Sequence, residues 1–327
     1  MTRALYLLCP PLNSKTKRYE VLASMITAVE TKNALFGVSE FTTWFQTFEQ
    51  DVALYTRLGV DCIEVCERKL AKEPARAREQ LACLKSVGMP VSSIQPRVHA
   101  LFQDFMCPEL ADPVERMAEF RKTIDLFSEF FPEAPLVTIG GMAPQSNYQL
   151  AHRTARKLYC ELADYAASHG MRIMYEPLHP ILLNTNTFIY TLKEARMLVD
   201  AVNRDNFGLC LDVWHVWEEP SIEAQIEALG DRLLGVHISD WPTERPRCVA
   251  ERLLPGDGCI PLPALFKAIE QTGYEGAYSL EIFSDASLPD SLWHQDGAQV
   301  IERGRQGFFN AWKNRASQTG SLACCNH

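Results

Sequence analysis

Short apolar runs alternate with longer helical stretches along most of the chain, and a glycine often closes the helical stretch. This alternation most constrains the fold. Eight strand candidates can be counted: 35–39, 62–65, 91–95, 136–139, 172–176, 207–212, 233–238 and 277–282. Each is rich in Val, Ile, Leu or aromatic residues, as parallel strands buried on both faces should be. Helical patterns fill the gaps at 48–58, 74–87, 113–130, 152–168, 191–202, 221–229 and 262–272. Gly59, Gly88, Gly170 and Gly273 follow four of them, where a helix C-cap favours glycine. The repeating βα unit predicts an α/β fold, a closed (β/α)8 TIM barrel. The rival, a doubly wound open sheet, usually carries a glycine-rich phosphate turn after its first strand. No such turn is present.

Residues 1–33 precede the first unit and read as an N-terminal extension. Residues 34–312 form the barrel and 313–327 a short flexible tail. The chain carries 32 Lys+Arg against 41 Asp+Glu, a formal charge of −9. That balance argues against nucleic acid and anionic membrane surfaces as partners, since both need a basic face. No run approaches the length of a membrane span. The apolar stretch at Leu5–Leu8 is too short for a signal peptide and ends at Pro10-Pro11. A lipoprotein site at Cys9 lacks the usual small residue before it. The expectation is a cytoplasmic protein. Eleven cysteines are scattered with no CxxC pair, so buried free thiols are expected. Cys324 and Cys325 fall in the polar tail.

In a barrel, active groups come from the C-terminal ends of strands and the loops just beyond. Strand five ends at Glu176, followed by Pro177-Leu178-His179. Strand six ends at Asp212, strand seven contains His237, and strand eight ends around Glu281. The spacings are 36, 25 and 44 residues, each about one βα unit. Each of these residues alone is weak evidence. Together, each on its own strand, they can converge above the barrel mouth. Carboxylates with one imidazole suit a divalent cation such as Mn²⁺, Co²⁺, Mg²⁺ or Zn²⁺, with Mn²⁺ the first expectation.

Five motifs then carry a resemblance: Glu176-Pro177-Leu178-His179, Leu211-Asp212-x-x-His215, Gly235-x-His237-x-Ser239-Asp240, Pro255-Gly256-Asp257-Gly258-x-Ile260-Pro261 and Ser279-Leu280-Glu281-Ile282-Phe283. Over roughly residues 34–312 the chain resembles the xylose isomerase-like barrels. This group of sugar isomerases and epimerases is related to ketose 3-epimerases, inosose dehydratase and endonuclease IV. The resemblance implies Glu176, Asp212, His237 and Glu281 as metal ligands, and His215 as a substrate contact. The ketose epimerases carry an arginine six residues beyond the ligand histidine. Here that position is Thr243, with Arg245 and Arg247 nearby, and Arg247 is taken as the substrate-binding candidate. This departure, with a different loop from Trp241 to Gly256, implies a different substrate.

The implied chemistry is a divalent-metal-dependent isomerisation or epimerisation of a small sugar. The metal chelates a carbonyl and the adjacent hydroxyl and stabilises the enediolate. Glu176 and Glu281 are the catalytic pair, taking a proton from one face and returning one to the other. The alternative is a lyase on the same scaffold, a keto-polyol dehydratase or a β-eliminating enzyme on a 3-keto glycoside or C-glycoside. In that case a glutamate or His179 takes the proton. An endonuclease IV-like activity needs more ligands than this chain offers. A non-catalytic sugar binder has little need of four metal ligands. Relatives often form dimers or tetramers, so a homo-oligomer stays open.

Glu67 and Arg68 follow strand two, and Gln95, Arg97 and His99 follow strand three. Glu67, Gln95, Arg97, His99 and His179 are further pocket candidates. Trp44, Phe45, Trp214, Trp217 and Trp241 lie near strand ends and can wall a sugar ring or pack in the core. Gly256-Asp257-Gly258 reads as a tight turn before Ile260-Pro261 rather than a phosphate nest. Asp257 would repel a phosphate unless Arg247 or Arg252 offsets it.

Overall fold

A computed structural model describes residues 34–244, 246–248 and 251–317. The N-terminal extension, Arg245, and Cys324-Cys325 lie outside the described residues. Eight parallel strands close into a barrel in sequence order. They are β1 (Leu35–Ser39), β2 (Cys62–Cys66), β3 (Val91–Gln95), β4 (Leu136–Thr138), β5 (Ile173–Tyr175), β6 (Phe207–Asp212), β7 (Leu233–Ile238) and β8 (Ala277–Leu280). The first and last strands pair in parallel, Leu35 opposite Ala277. Every residue of β2 and of β6 is buried, which is why those strands are apolar apart from Glu64 and Asp212.

Helices α1 (Phe48–Leu58), α2 (Pro74–Val87), α3 (Pro113–Ser128), α4 (Tyr148–Ser168) and α5 (Leu192–Val202) follow strands β1 to β5. Two short helices, α6 (Val213–Val216) and α7 (Ile222–Glu227), follow β6, and α8 (Leu262–Gln271) and α9 (Gly297–Asn314) complete the chain. The caps explain the boundaries. Thr47 and Gln50 form a capping box at the start of α1. Gly59 and Gly88 end α1 and α2 with φ of 60° and 76°. Among the described residues no helix is long and apolar enough to cross a membrane.

Two expectations need correction. Residues 313–317 were assigned to a flexible tail, but α9 runs to Asn314 and a 3₁₀ turn covers Arg315–Ser317. Arg315 is buried there and grips Glu270 through two bonds of 3.0 and 2.9 Å. The thiols are also less uniformly buried than expected. Cys62, Cys66, Cys107 and Cys210 are buried, whereas Cys83 is exposed and Cys160 and Cys259 are half-buried.

Register positions the functional end. Asp212, the last residue of β6, sits opposite His237 of β7. Glu176 and Glu281 lie one residue beyond the β5 and β8 ladders. Their backbone N–H groups still donate to Thr138 O (2.9 Å) and Ile238 O (3.1 Å), so both stay fixed to the rim. Glu64 sits mid-strand in β2, fully buried, opposite Ser93 of β3.

Beyond β7 the chain loops out and returns antiparallel. Asp240 N donates to Leu253 O (2.8 Å) and Leu253 N to Asp240 O (2.9 Å). The Asp240 carboxylate then accepts from the N–H groups of Gly256 (2.8 Å), Gly258 (3.1 Å) and Ile260 (2.9 Å). Those donors are therefore taken by a carboxylate of the chain itself, so Gly256-Asp257-Gly258 is a turn and not a phosphate nest. Gly256 has φ of 90°, and a Cβ at position 258 would overlap Trp241 O. Replacing Asp240 by Ala leaves these donors without their acceptor. The expected cost is about 3 kcal/mol, read as a lower urea midpoint at constant m. A loss below about 1 kcal/mol would show that the turn holds without Asp240.

Candidate metal centre and pocket

The side chains of Glu176, Asp212, His237 and Glu281 converge at the mouth. One ligand atom from each lies within 4.8 Å of all the others, and all four residues are buried. Asp212 and His237 come from the ends of β6 and β7, and Glu176 and Glu281 from just beyond β5 and β8. Glu176 and Glu281 therefore reach the cluster from two sides, with β6 and β7 between them.

The imidazole of His237 is the pivot. Its Nε2 lies 2.7 Å from Glu64 Oε2, so Nε2–H donates to that carboxylate. Its Nδ1 then faces Glu176 Oε1 at 3.2 Å and Glu281 Oε2 at 3.5 Å. A nitrogen lone pair facing two carboxylate oxygens needs a proton or a cation between them. Glu64 is itself held by Ser93 Oγ–H at 2.5 Å. A carboxylate behind a histidine fixes the tautomer and strengthens the outward-facing nitrogen as a ligand.

Arg252 lies over the same cluster, 4% exposed. Its Nη1 donates to Asp212 Oδ2 (2.6 Å) and to Glu281 Oε2 (2.9 Å). The guanidinium also lies 5.1 Å from the ring centroids of both Trp214 and Phe283. The antiparallel return at Leu253 delivers this arginine to the mouth.

Burial and charge compete in each carboxylate. Burial pushes Glu281 up to about 8, against the pull of His237 and Arg252. Burial also raises Glu176. In Asp212 burial is the largest single influence and pushes upward, but Arg252, His215, His237 and the Trp214 N–H together outweigh it and hold the group below its ordinary value. Burial likewise opposes ionisation of Glu64, and His237 with the Ser39 and Ser93 hydroxyls together overcomes it. Four carboxylates thus face one guanidinium and one imidazole with little water. Such a buried excess of acids over cations, on hard oxygen donors with one nitrogen, fits a divalent cation, whose charge would let the raised carboxyls ionise.

An open pocket of about 660 Å³ lies over the cluster. Gln95, His99, Glu176, His215, Arg252 and Glu281 supply charged and polar lining. Gln95 Nε2 donates to Glu281 Oε1 (3.3 Å) and Glu64 Oε1 (3.4 Å). Burial lowers His215 to about 3 and His99 to about 4, so both imidazoles are neutral at pH 7. His215 Nδ1 lies 3.1 Å from the His179 N–H, and its Nε2 lies 3.2 Å from Arg252 Nη2 and 3.6 Å from Asp212 Oδ2. His99 Nε2 lies 3.2 Å from Asp104 Oδ2. Asn186 lines the pocket as well, and its buried Oδ1 has no partner among the described residues.

Four candidates sit elsewhere. Glu67 accepts from Arg97 N–H (2.8 Å) and Thr123 Oγ1–H (2.7 Å), and Arg97 in turn donates to Glu67 O and Leu70 O. Both are used in shaping the loops after β2 and β3. His179 turns outward, its Nε2 2.6 Å from Glu218 Oε1 and its ring 4.6 Å from Trp241. The side chain of Arg247 is half exposed and pairs with Glu251 and Asp290. The arginine of the site is Arg252 instead. Glu64, Arg252 and Asn186 escaped the sequence reading. A lone glutamate inside the apolar β2 run was a usable signal for Glu64. Nothing local marks Arg252 or Asn186.

The sequence profile of the xylose isomerase-like TIM barrel family matches residues 52–304. Inosose isomerase of Bacillus subtilis is 29% identical over 178 residues, covering 54% of this chain and 60% of that one. Fructoselysine 3-epimerase of Shigella flexneri is 30% identical over 264 residues, covering 76% and 89%. 3-Dehydroshikimate dehydratase of Pseudomonas putida is 25% identical over 253 residues, covering 73% of this chain and 36% of that longer protein. Among solved structures, the IOLI protein with a bound zinc atom superposes with a TM-score of 0.69 at 20% identity, covering 88% and 100%. With the profile matching most of the chain and the barrel closed as that profile requires, this protein belongs to the xylose isomerase-like TIM barrel family.

Proposed function

We propose that the chain is a divalent-metal-dependent isomerase or epimerase of a sugar or polyol ketone, moving a proton at the carbon next to the carbonyl. The observation that carries this reading is the convergence of Glu176 and Glu281 on one buried point, flanking His237, beneath an open pocket. Glu176, Asp212, His237 and Glu281 would hold the ion, with Mn²⁺ the first to test; a zinc atom is bound in the IOLI structure. When bound, the ion supplies Lewis-acid polarisation of the carbonyl oxygen.

The protein's own groups do the rest. One glutamate removes the proton and keeps it, and the other delivers its own proton, exchangeable with solvent, from the opposite face, which inverts the carbon. Gln95 and Arg252 each hold one oxygen of Glu281, so its carboxyl cannot swing away. Arg252 also places positive charge beside the oxygen where charge develops. His99 and Asn186 offer neutral partners to hydroxyl groups. The likeness to a 3-dehydroshikimate dehydratase supports a second reading, a lyase. There the proton removal is the same and a β-hydroxyl or aglycone departs.

The deciding experiment incubates the Mn²⁺-loaded protein in D₂O with ketoses, inososes and 3-keto glycosides, followed by NMR. Deuterium beside a carbonyl with the skeleton intact is expected. Loss of water or of an aglycone selects the lyase. Glu281→Gln should lower turnover by at least about 100-fold with the fold intact, and full activity would remove it from the acid/base pair. Asp212→Ala should lose stoichiometric metal. Glu64→Gln should weaken metal binding about 10–100-fold in a chelator competition. Unchanged affinity would mean that Glu64 does not set the His237 tautomer.

A further inference from the structure

We propose that the substrate of this site carries a planar apolar group, an aryl substituent attached to the keto sugar, and that an aromatic groove beside the pocket holds it. The proposal rests on the reading of the pocket as a site for a carbonyl-bearing sugar.

The pocket is chemically two-sided. Gln95, His99, Asn186 and His215 lie toward β3, β5 and β6, where hydroxyl groups find partners. Toward β1 and β8 the wall is Phe41 and Phe283, whose ring centroids are 4.5 Å apart. Phe105 and Met106 continue that wall. The same four residues also line a second open pocket of about 810 Å³, so the two spaces adjoin across a shared aromatic wall. Trp44 and Trp293 line its outer part. Phe41 stacks on Trp44 at 5.6 Å and 20°, and Trp44 on Trp293 at 6.1 Å and 26°. A series of near-parallel rings thus leads outward from the metal centre.

The groove has few free polar groups. Ser284 Oγ pairs with Ser291 Oγ at 2.8 Å. Trp293 Nε1–H donates to Phe41 O and Ile282 O. Asp285 already accepts from Ser287 N–H at 2.8 Å. A second sugar ring would bring hydroxyls that find little here, whereas a flat apolar ring stacks. Among the described residues Phe45 and Phe105 are the exposed large aromatic side chains, each 62% exposed. Phe105 lines this groove and Phe45 packs edge-on against Trp293 at 5.9 Å. Exposed aromatics gathered at one mouth mark a binding surface.

The test compares phenyl and methyl 3-keto-β-D-glucoside binding to the metal-loaded full chain by calorimetry. The phenyl compound should bind about tenfold tighter or more. Phe105→Ser and Trp44→Ala should each bring the phenyl-to-methyl ratio close to one. Equal affinities in the wild type, or a ratio that survives both substitutions, overturn the proposal. So does a Phe105→Ser variant that splits a dimer while leaving the ratio unmoved, because the groove then belongs to a second copy. Failure of both glucosides to bind also overturns it. Deuterium exchange into a free ketose by the same preparation then shows whether the proton-transfer reading stands without it.

Discussion

The rest of this structure depends on an excess of buried acids over the cations that face them. Glu64, Glu176, Asp212 and Glu281 are all at most 5% exposed at one end of the barrel. Carboxylates removed from water stay ionised only with a partner. Arg252 and His237 are the partners the chain supplies, and they are too few for four acids. That shortfall explains why burial pushes Glu281 up while Asp212, closest to the guanidinium, goes down. It also explains why the apolar barrel tolerates such a cluster, since a cation bound there would repay the desolvation.

The scaffold around the cluster exists to keep it in place. Asp212 and His237 are adjacent by strand register, with no flexible loop between strand and ligand. Glu176 and Glu281 stand one residue past their ladders yet keep backbone bonds to the neighbouring strand. Arg252 comes from a loop, and the loop is pinned twice: by the antiparallel return at Leu253 and by the Asp240 carboxylate at the following turn. Asp240 thus acts on the site through Arg252's position, though it touches none of the candidate ligands.

Much of this was legible in the chain, for identifiable reasons. Parallel strands buried on both faces leave apolar runs, so β1, β3, β6 and β7 are found at their expected bounds. The four candidate ligands stood out because each is an ionisable residue ending an apolar strand. Glu64 broke the same rule inside a strand rather than at its end, and was passed over. Glu67, Arg97 and Arg247 lie near the mouth in sequence, but long side chains take the partners within reach: a backbone amide, carbonyls, neighbouring acids. Proximity to a strand end gives position along the barrel axis and says nothing of direction. Arg252 lies 15 residues beyond His237, and only the tertiary pairing of Leu253 with Asp240 turns it inward.

The division of the pocket follows from the same geometry. The acids and the arginine crowd the centre, so specificity must come from the walls. The wall between β3 and β6 carries amides and neutral imidazoles, and their neutrality is a product of burial beside Arg252, Arg68 and Arg116, where a second positive charge is unfavourable. Neutral donors and acceptors hold hydroxyls without competing with the carboxylates for a cation. The wall at β1 and β8 is where the barrel closes, and Phe41 and Phe283 meet there as tilted rings 4.5 Å apart while Arg252 packs on Phe283. One aromatic ring therefore both shields the guanidinium from water and begins the groove. On the proposed reading, access to the carbonyl chemistry and choice of substituent meet at the same side chain, so a change at Phe283 would alter both together.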